Sequence, residues 1–248
     1  MFIIYGGDIL LVILHDNHFD DVKCISFDID ETITRWKNID EFFELSLKDL
    51  GIIYSNEMKG QIFKAMHDRE LIGMTSGDYG IANYSWCLED NVEALRLHNR
   101  RGYELVQAMF KREADYTYIT EDCIETLEYL YEKYKTLDCF TNWFYDQAIK
   151  KIQKHHLEKF FSNVYASDSF SLKHKYGFDR FYRNIGYDPK YICHVGDSLA
   201  DVPSKSLGLK NIYLKYGLLP ENITEEIMNI IINSDATITE FGDLKKVL

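Results

Sequence analysis

From about residue 118 to the end of the chain, short apolar runs alternate with segments of helical periodicity. An earlier run of the same kind, "VKCISFDID", lies near the N-terminus. Strands that alternate with helices are typical of βαβ units, whose consecutive strands run parallel in one sheet. We therefore predict an α/β fold built on a doubly wound parallel sheet. The later strands are predicted at "TLDCF", "NVYAS", "YICHVGD", "KNIYLKYG" and "ATITE".

Residues 36–117 interrupt this alternation, because they have helical character and contain no strong strand pattern. The segment "DEFFELSLKDLG", for example, repeats apolar residues at helical spacing and ends at a glycine. A helical block between the first and second strands indicates a second, smaller domain. The predicted division is therefore a core of residues 1–35 and 118–248 and a helical domain of residues 36–117.

Residues 1–21 are predicted to extend the core. Their apolar stretch "FIIYGGDILLVIL" contains two glycines and Asp8, and it is too short to span a bilayer. It also lacks the basic region and the small-residue cleavage site of a secretory signal. We expect an additional edge strand or a segment that contacts a partner. A translation start assigned upstream of the true one is the remaining alternative.

The charge balance and the cysteines limit the possible partners and compartments. The chain has 28 basic and 40 acidic residues, which gives a net charge of -12. Binding to nucleic acid or to an anionic membrane requires clustered Lys and Arg, so the sequence predicts neither. The five cysteines form no CxxC pair, which favours reduced thiols in a cytoplasmic protein.

Polar side chains follow three of the predicted strands. Ligands of an open parallel sheet bind beyond the carboxyl ends of its strands, so these side chains are expected to meet at one edge. Three carboxylates within four residues at a buried strand end are costly unless a cation compensates them. The candidates are Asp28, Asp30, Glu31 and Thr32 after the first strand, Thr141 and Asn142 after the second, and Gly196, Asp197, Ser198 and Asp201 after the fourth.

In their order and spacing, these residues resemble the motifs of the haloacid dehalogenase superfamily, in its branch of aspartyl-nucleophile phosphatases with a helical cap. The resemblance implies a Rossmann-like core, a cap formed by residues 36–117 and a requirement for Mg²⁺. The first motif, DxDxT, matches Asp28, Asp30 and Thr32; the second matches Thr141 and Asn142; the fourth, GDSxxxD, matches Gly196, Asp197, Ser198 and Asp201.

The chemistry of these residue types agrees with that resemblance. A carboxylate can attack a phosphate ester and become phosphorylated, and Asp28 is predicted to be this nucleophile. Asp30, on the same face of the extended chain, is predicted to protonate the leaving oxygen and then to activate water. Mg²⁺ prefers oxygen ligands, which are predicted to come from Asp28, Asp30 and Asp197, with Asp201 orienting a water molecule.

The phosphoryl oxygens are predicted to be bound by Thr32, Thr141, Asn142 and a lysine. The third motif of the family is this lone lysine, and both Lys173 and Lys175 are candidates. Counting back six residues from Phe181, as in the family, gives Lys175, whereas counting forward from Ser167 lands near Lys173 or His174. Because the helix register is the firmer guide, the sequence favours Lys175 by about two to one.

The predicted function is Mg²⁺-dependent hydrolysis of a small phosphorylated metabolite. A phosphomutase would use the same residues and return the phosphoryl group to a sugar. A dehalogenase would also use an aspartate nucleophile, but it does not need the acid at position 30. A non-catalytic binding protein with the same fold is the fourth alternative, although all the expected acids are present. The oligomeric state is left open.

Overall fold

A computed structural model of the chain describes residues 2–6, 9–13, 19–171, 173, 175–202, 207–218 and 222–248. Ten strands form one eight-stranded sheet and one two-stranded ribbon. The strands are β1 (Phe2–Gly6), β2 (Ile9–Ile13), β3 (Cys24–Phe27), β4 (Arg35–Trp36), β5 (Thr117–Tyr118), β6 (Leu137–Thr141), β7 (Phe161–Ala166), β8 (Ile192–Gly196), β9 (Lys210–Leu214) and β10 (Ala236–Ile238).

Helices separate these strands along the chain. Five of them follow β4, and the others alternate with the strands of the large sheet. The helices are α1 (Ile39–Lys48), α2 (Asn56–Ser76), α3 (Ile81–Asn91), α4 (Glu93–Leu97), α5 (Gly102–Phe110), α6 (Cys123–Tyr134), α7 (Tyr145–Lys154), α8 (Lys175–Ile185), α9 (Glu225–Asn233) and α10 (Leu244–Val247).

The large sheet has the strand order β1-β2-β10-β9-β8-β3-β6-β7, and the six strands from β10 to β7 are parallel. From β3 the chain moves outward through β6 and β7, then returns to the other side of β3 and moves outward through β8, β9 and β10. The strand order therefore reverses at β3, and such a switch point opens a crevice beyond the strand ends. The prediction of an α/β, doubly wound parallel sheet is confirmed.

The helices α1 to α5, here called the helical insert, share a hydrophobic core to which Phe144, just before α7, also contributes. Phe42, Leu88, Leu95 and Leu105 are completely or almost completely buried in it. The strands β4 and β5 pair antiparallel at the two ends of the insert, with Trp36 opposite Thr117. The domain boundaries at residues 36 and 117 stay a prediction, and this ribbon, which the sequence did not indicate, lies across both of them.

The N-terminal extension adds two strands at one edge of the sheet. The strand β2 pairs antiparallel with β10, and β1 pairs antiparallel with β2. Of the alternatives weighed for these residues, the backbone agrees with an added edge strand. Within the described part of the chain, no helix is both long and apolar enough to cross a membrane.

Two local features of the core are the turn after β8 and a buried acid within β6. The chain after β8 forms a short 3-10 turn over Leu199–Asp201, and residues 203–206 lie outside the described residues. Asp138, which interrupts the apolar strand β6, is completely buried. Its carboxylate accepts a hydrogen bond from the Asn163 side-chain amide at 2.9 Å, which compensates part of the cost of burying it.

Candidate active site

The first strand of the core, β3, delivers Asp28 to the switch point of the sheet. All four residues of β3 are buried between the neighbouring strands β6 and β8. The backbone N–H of Asp28 donates to the carbonyl of Val195 at 2.9 Å, which continues the pairing with β8. The Asp28 Oδ1 atom accepts a hydrogen bond from the backbone N–H of Ile29 at 2.8 Å. The carboxylate is therefore fixed at a buried strand end.

Lys173 provides the positive charge beside Asp28. Its Nζ atom lies 2.8 Å from Asp28 Oδ2 and 2.5 Å from Asp201 Oδ1, and its side chain is 1% exposed. The Asn142 side-chain oxygen accepts a hydrogen bond from the Lys173 backbone N–H at 2.7 Å, which fixes the loop that carries the lysine. These contacts favour Lys173 as the site lysine. Lys175 begins α8, and its side chain lies outside the described residues, so its role stays a prediction.

The start of α8 explains why the two counts along the sequence give different lysines. Counting back from Phe181 assumes that the site lysine has a fixed distance from the helix, but the loop before α8 sets that distance instead. Lys173 lies two residues before the helix begins, where the chain can still turn toward the strand ends. The count forward from Ser167, which ends near Lys173 or His174, follows this loop directly.

Three carboxylates converge around Lys173. One oxygen each of Asp28, Asp197 and Asp201 lies within 4.8 Å of the others. Burial and the Asp201 charge raise the pKa of Asp28 to about 7, although Lys173 opposes this. Burial and the charges of Asp201 and Asp28 raise the pKa of Asp197 to about 8. Burial therefore disfavours the charged form of both acids, although Lys173 lies beside them.

Asp201 behaves differently from the other two acids. Burial alone would raise its pKa, but Lys173 and His194 outweigh burial and hold the pKa of Asp201 well below its usual range. Its Oδ1 contacts Lys173 and, at 2.9 Å, His194 Nε2, while its Oδ2 accepts from the Ser198 N–H and hydroxyl at 3.0 and 2.7 Å. Because both oxygens are occupied, Asp201 fixes Lys173 and the turn after β8.

The donor set is suitable for a hard divalent cation. Asp28 and Asp197 contribute carboxylate oxygens, and Mg²⁺ prefers oxygen ligands and retains several waters. The raised pKa values of both acids show that the cluster favours additional positive charge. A bound cation would relieve the repulsion that Lys173 leaves uncompensated.

Asp30 forms an ion pair with a second lysine, Lys151, which the sequence analysis did not identify. The Nζ atom of Lys151, on α7, lies 2.6 Å from Asp30 Oδ1 and 2.5 Å from Glu113 Oε1. Lys151 and Glu113 are each 1% exposed, whereas Asp30 is 27% exposed. Burial alone would lower the pKa of Lys151, but the charges of Asp30 and Glu113 outweigh burial and raise it.

A sequence feature could have revealed Lys151. It lies three residues after Ala148 and next to Ile152, on the face of α7 that is buried. A charged residue on the buried face of a helix requires a partner of opposite charge. The "KK" of "DQAIKKIQK" therefore contained one lysine on the buried face and one exposed lysine.

Of the predicted phosphate-binding residues, Thr141 and Asn142 reach the crevice and Thr32 does not. Thr141 and Asn142, at the end of β6, line the same cavity as Asp28 and Lys173. Thr32 is completely buried and does not line this cavity. Its carbonyl accepts a hydrogen bond from the Tyr216 hydroxyl at 2.8 Å, so Thr32 belongs to the loop that supports the site. That Thr32 binds phosphate therefore stays a prediction, which its burial in this structure does not support.

A cavity of about 320 Å³ lies over these side chains. One wall belongs to the core, and the facing wall comes from helix α2 of the insert through Met66, His67 and Glu70. Arg69, on the same helix, is 1% exposed and donates to the Asn142 carbonyl at 3.0 Å and to the Ser167 hydroxyl at 2.7 Å. These bonds hold the insert against the strand ends.

Comparison with known proteins gives a family and several similar folds. The model of the haloacid dehalogenase-like hydrolase family matches residues 25–213. A predicted phosphoglycolate phosphatase from Haemophilus somnus is 21% identical, with a TM-score of 0.66 over 92% of this chain and 98% of that chain. The comparison with curated protein sequences finds no significant match.

Two further similar structures are a magnesium-bound hydrolase and a dehalogenase. YfnB from Bacillus subtilis, described as a HAD-hydrolase bound to magnesium, is 19% identical, with a TM-score of 0.62 over 78% of this chain and 88% of that chain. An L-2-haloacid dehalogenase from Xanthobacter autotrophicus is 14% identical, with a TM-score of 0.67 over 91% of this chain and 98% of that chain. At these identities the likeness establishes the fold and not the reaction.

Proposed function

Because the chain belongs to the haloacid dehalogenase-like hydrolase family, we propose that it is a Mg²⁺-dependent phosphatase of small phosphate monoesters. One observation carries this proposal. Asp28 lies beside Lys173 at the bottom of a cavity that a second acid, Asp30, also lines. One carboxylate can therefore act as a nucleophile while the other transfers a proton on the side of the leaving group.

The proposed reaction has two steps. In the first, an Asp28 carboxylate oxygen attacks phosphorus, the bond between phosphorus and the ester oxygen breaks, and Asp30 gives its proton to the departing oxygen. In the second, Asp30 removes a proton from water, which attacks the phosphoryl group and releases Asp28. The Lys173 ammonium and the polar groups of Thr141 and Asn142 would stabilise the phosphoryl oxygens, whose charge is spread in the transition state.

Mg²⁺ is the proposed cofactor. When bound, it would neutralise part of the charge that the phosphoryl group brings to the crowded carboxylates. Asp28 and Asp197 would hold it through side-chain oxygens and Asp30 through its backbone carbonyl, whereas Asp201 would act through Lys173 and the turn after β8. The acidic cluster supports this proposal, as does the magnesium in the structure of YfnB.

Asp30 also argues against dehalogenation, because a halide leaves without taking a proton. The phosphomutase alternative requires the phosphoryl group to return to a sugar rather than to water, so product analysis separates the two. The cavity of about 320 Å³ supports a small substrate rather than a macromolecule. The five cysteines are free and buried, which supports a cytoplasmic location.

A phosphate-release screen over small phosphorylated metabolites, with and without Mg²⁺, tests the proposal. We expect release from one chemical class of ester, and loss of that release in EDTA. Asp28→Asn is the matched control, because it keeps the shape of the side chain and removes the nucleophile; its activity should fall below a few per cent. Release that persists in EDTA would contradict the role of the metal, and an active Asp28→Asn would contradict the covalent mechanism.

A further inference from the structure

Asp30 is held by two buried charged residues, Lys151 and Glu113, that belong to none of the family motifs. Its Oδ1 atom lies 2.6 Å from Lys151 Nζ, which in turn lies 2.5 Å from Glu113 Oε1. The contact uses only one oxygen of Asp30. Among the described residues, no hydrogen-bond or ion-pair partner contacts its other oxygen, Oδ2, so this atom is available to a bound molecule.

The three charged residues of this ion-pair network come from three separate elements. Asp30 follows β3, Lys151 lies on α7, and Glu113 begins the 3-10 turn over Glu113–Tyr116 by which the chain leaves the helical insert. The position of the Asp30 carboxylate thus depends on a residue at the junction between the core and the insert.

Two aromatic side chains separate Lys151 from the cavity. Its Nζ atom lies 5.3 Å from the centre of the Trp36 ring and 5.9 Å from that of Trp143, and both tryptophans line the cavity. These rings keep solvent away from the ammonium while leaving it in contact with Asp30. Removal of water strengthens the charge interaction and fixes its direction.

We propose that Lys151 and Glu113 are positioning residues for the proton transfer by Asp30. Lys151 holds Oδ1, which leaves Oδ2 on the side of the departing oxygen, and Glu113 fixes Lys151 in turn. This inference rests on the proposed function. It predicts that the loss of rate on substitution of Lys151 is larger for leaving groups that depart only with a proton.

A purely structural ion pair is the competing explanation, and the same helix provides a control for it. Lys154, one turn further along α7, pairs at 2.8 Å with Asp115 of the same 3-10 turn. That pair is exposed, and Lys154 does not contact Asp30. The substitution Lys154→Met therefore removes a lysine from the same helix and an ion pair to the same turn without disturbing the proposed acid.

The test compares two esters that differ in their need for a proton. 4-Nitrophenolate leaves readily without one, whereas phenolate is a much stronger base. With enzyme in excess over ester, the rate of phenol release reports the first step alone. General acid catalysis typically contributes 10²–10⁴-fold, so Lys151→Met should lose at least about 100-fold on phenyl phosphate and less than about fivefold on 4-nitrophenyl phosphate.

The remaining outcomes are distinguishable. Lys154→Met should leave both rates unchanged. If Lys151→Met does not fold, Glu113→Gln, which preserves the shape of the side chain, replaces it. Its rate loss should be smaller, but again larger on phenyl phosphate than on 4-nitrophenyl phosphate. Equal losses of Lys151→Met on both esters, or full activity on phenyl phosphate, would overturn the inference. A wild-type enzyme that releases phosphate from no ester of the screen would instead contradict the proposed function. If the screen finds an active class but neither aryl ester is cleaved, the same comparison is made with two esters of that class whose leaving groups differ in basicity.

Discussion

Two buried lysines lie on either side of the candidate site, and each joins an aspartate of the first motif to a second acid. Lys173 contacts Asp28 and Asp201, and Lys151 contacts Asp30 and Glu113. The local geometry is nearly the same, because each ammonium lies 2.5 to 2.8 Å from two carboxylates and is 1% exposed. The proposed roles nevertheless differ.

The difference lies in what surrounds each lysine. Lys173 has a third carboxylate nearby, Asp197, whose pKa is raised by burial and by the charges of Asp201 and Asp28. Lys151 has two tryptophan rings and no third acid in contact with its Nζ atom among the described residues. We therefore propose that the same ion-pair geometry serves a cation and phosphate site on one side and positions the Asp30 carboxylate on the other.

The largest expected effect is on turnover. Lys173→Met should reduce kcat about 10²–10³-fold, the usual consequence of removing a group that stabilises transition-state charge. Lys175→Met is the matched control, and we expect less than about a threefold change, because Lys173 already occupies the site. Both variants are compared at saturating Mg²⁺ with a substrate from the screen. A large loss confined to Lys175→Met would return the role to that residue.

The second prediction concerns stability. Lys151→Met leaves the buried Glu113 carboxylate without a cation, which should lower the free energy of unfolding by about 3 kcal/mol. Glu113→Leu combined with Lys151→Met removes the unpaired charge, and should recover most of this loss if the replacements pack well. Urea unfolding of the three proteins measures both quantities.

The pH dependence of this loss has a definite sign. Without Lys151, burial should raise the pKa of Glu113 further above its ordinary value of 4.5. Well below pH 4.5, Glu113 is protonated in both the folded and the unfolded protein, so the loss of unfolding free energy should be small there. The loss should grow as the pH rises toward the pKa of Glu113 in the folded variant. A loss that is independent of pH would mean that missing packing, and not the charge of Glu113, causes it.

The third prediction separates the two lysine sites through the metal. Mg²⁺ at 100 times its Kd should stabilise the wild-type protein by about 2.7 kcal/mol, which a melting curve detects without any substrate. Asp197→Asn should lose most of this shift, because Asp197 supplies a ligand oxygen. Lys151→Met should keep it, because Lys151 does not contact the three clustered acids. An equal shift in all three proteins would place the cation elsewhere.

The sequence predicted one of these two regions much better than the other. The six parallel strands and the motif residues at their ends follow from apolar runs and spacing, which are local properties of the chain. The Asp28 and Asp197 carboxylates meet simply because parallel strands end at one edge. The choice between Lys173 and Lys175 needed the length of a loop, which no periodicity defines.

The Lys151 network depends on contacts between distant parts of the chain. Lys151 is 121 residues from Asp30 in sequence, and Glu113 belongs to a different element from either. Sequence patterns indicate which face of a helix is buried, but not which buried acid will meet a lysine there. Thr32 shows the converse limit, because it fits a motif by spacing while its side chain is buried away from the cavity.

The smallest expected effect concerns the exposed pair on the same helix. Lys154 and Asp115 are 2.8 Å apart, almost the same distance as in the Lys151 pairs, but they are 40% and 69% exposed. Solvent screens such a pair and its formation costs side-chain entropy, so Lys154→Met should change the free energy of unfolding by less than about 0.5 kcal/mol. High salt should abolish even this difference, while the penalty of Lys151→Met should persist, because screening by ions acts mainly on exposed charges. If the two variants responded equally to salt, the Lys151 network would have to be as accessible to solvent as its exposed neighbour, and its proposed control over Asp30 would lose its physical basis.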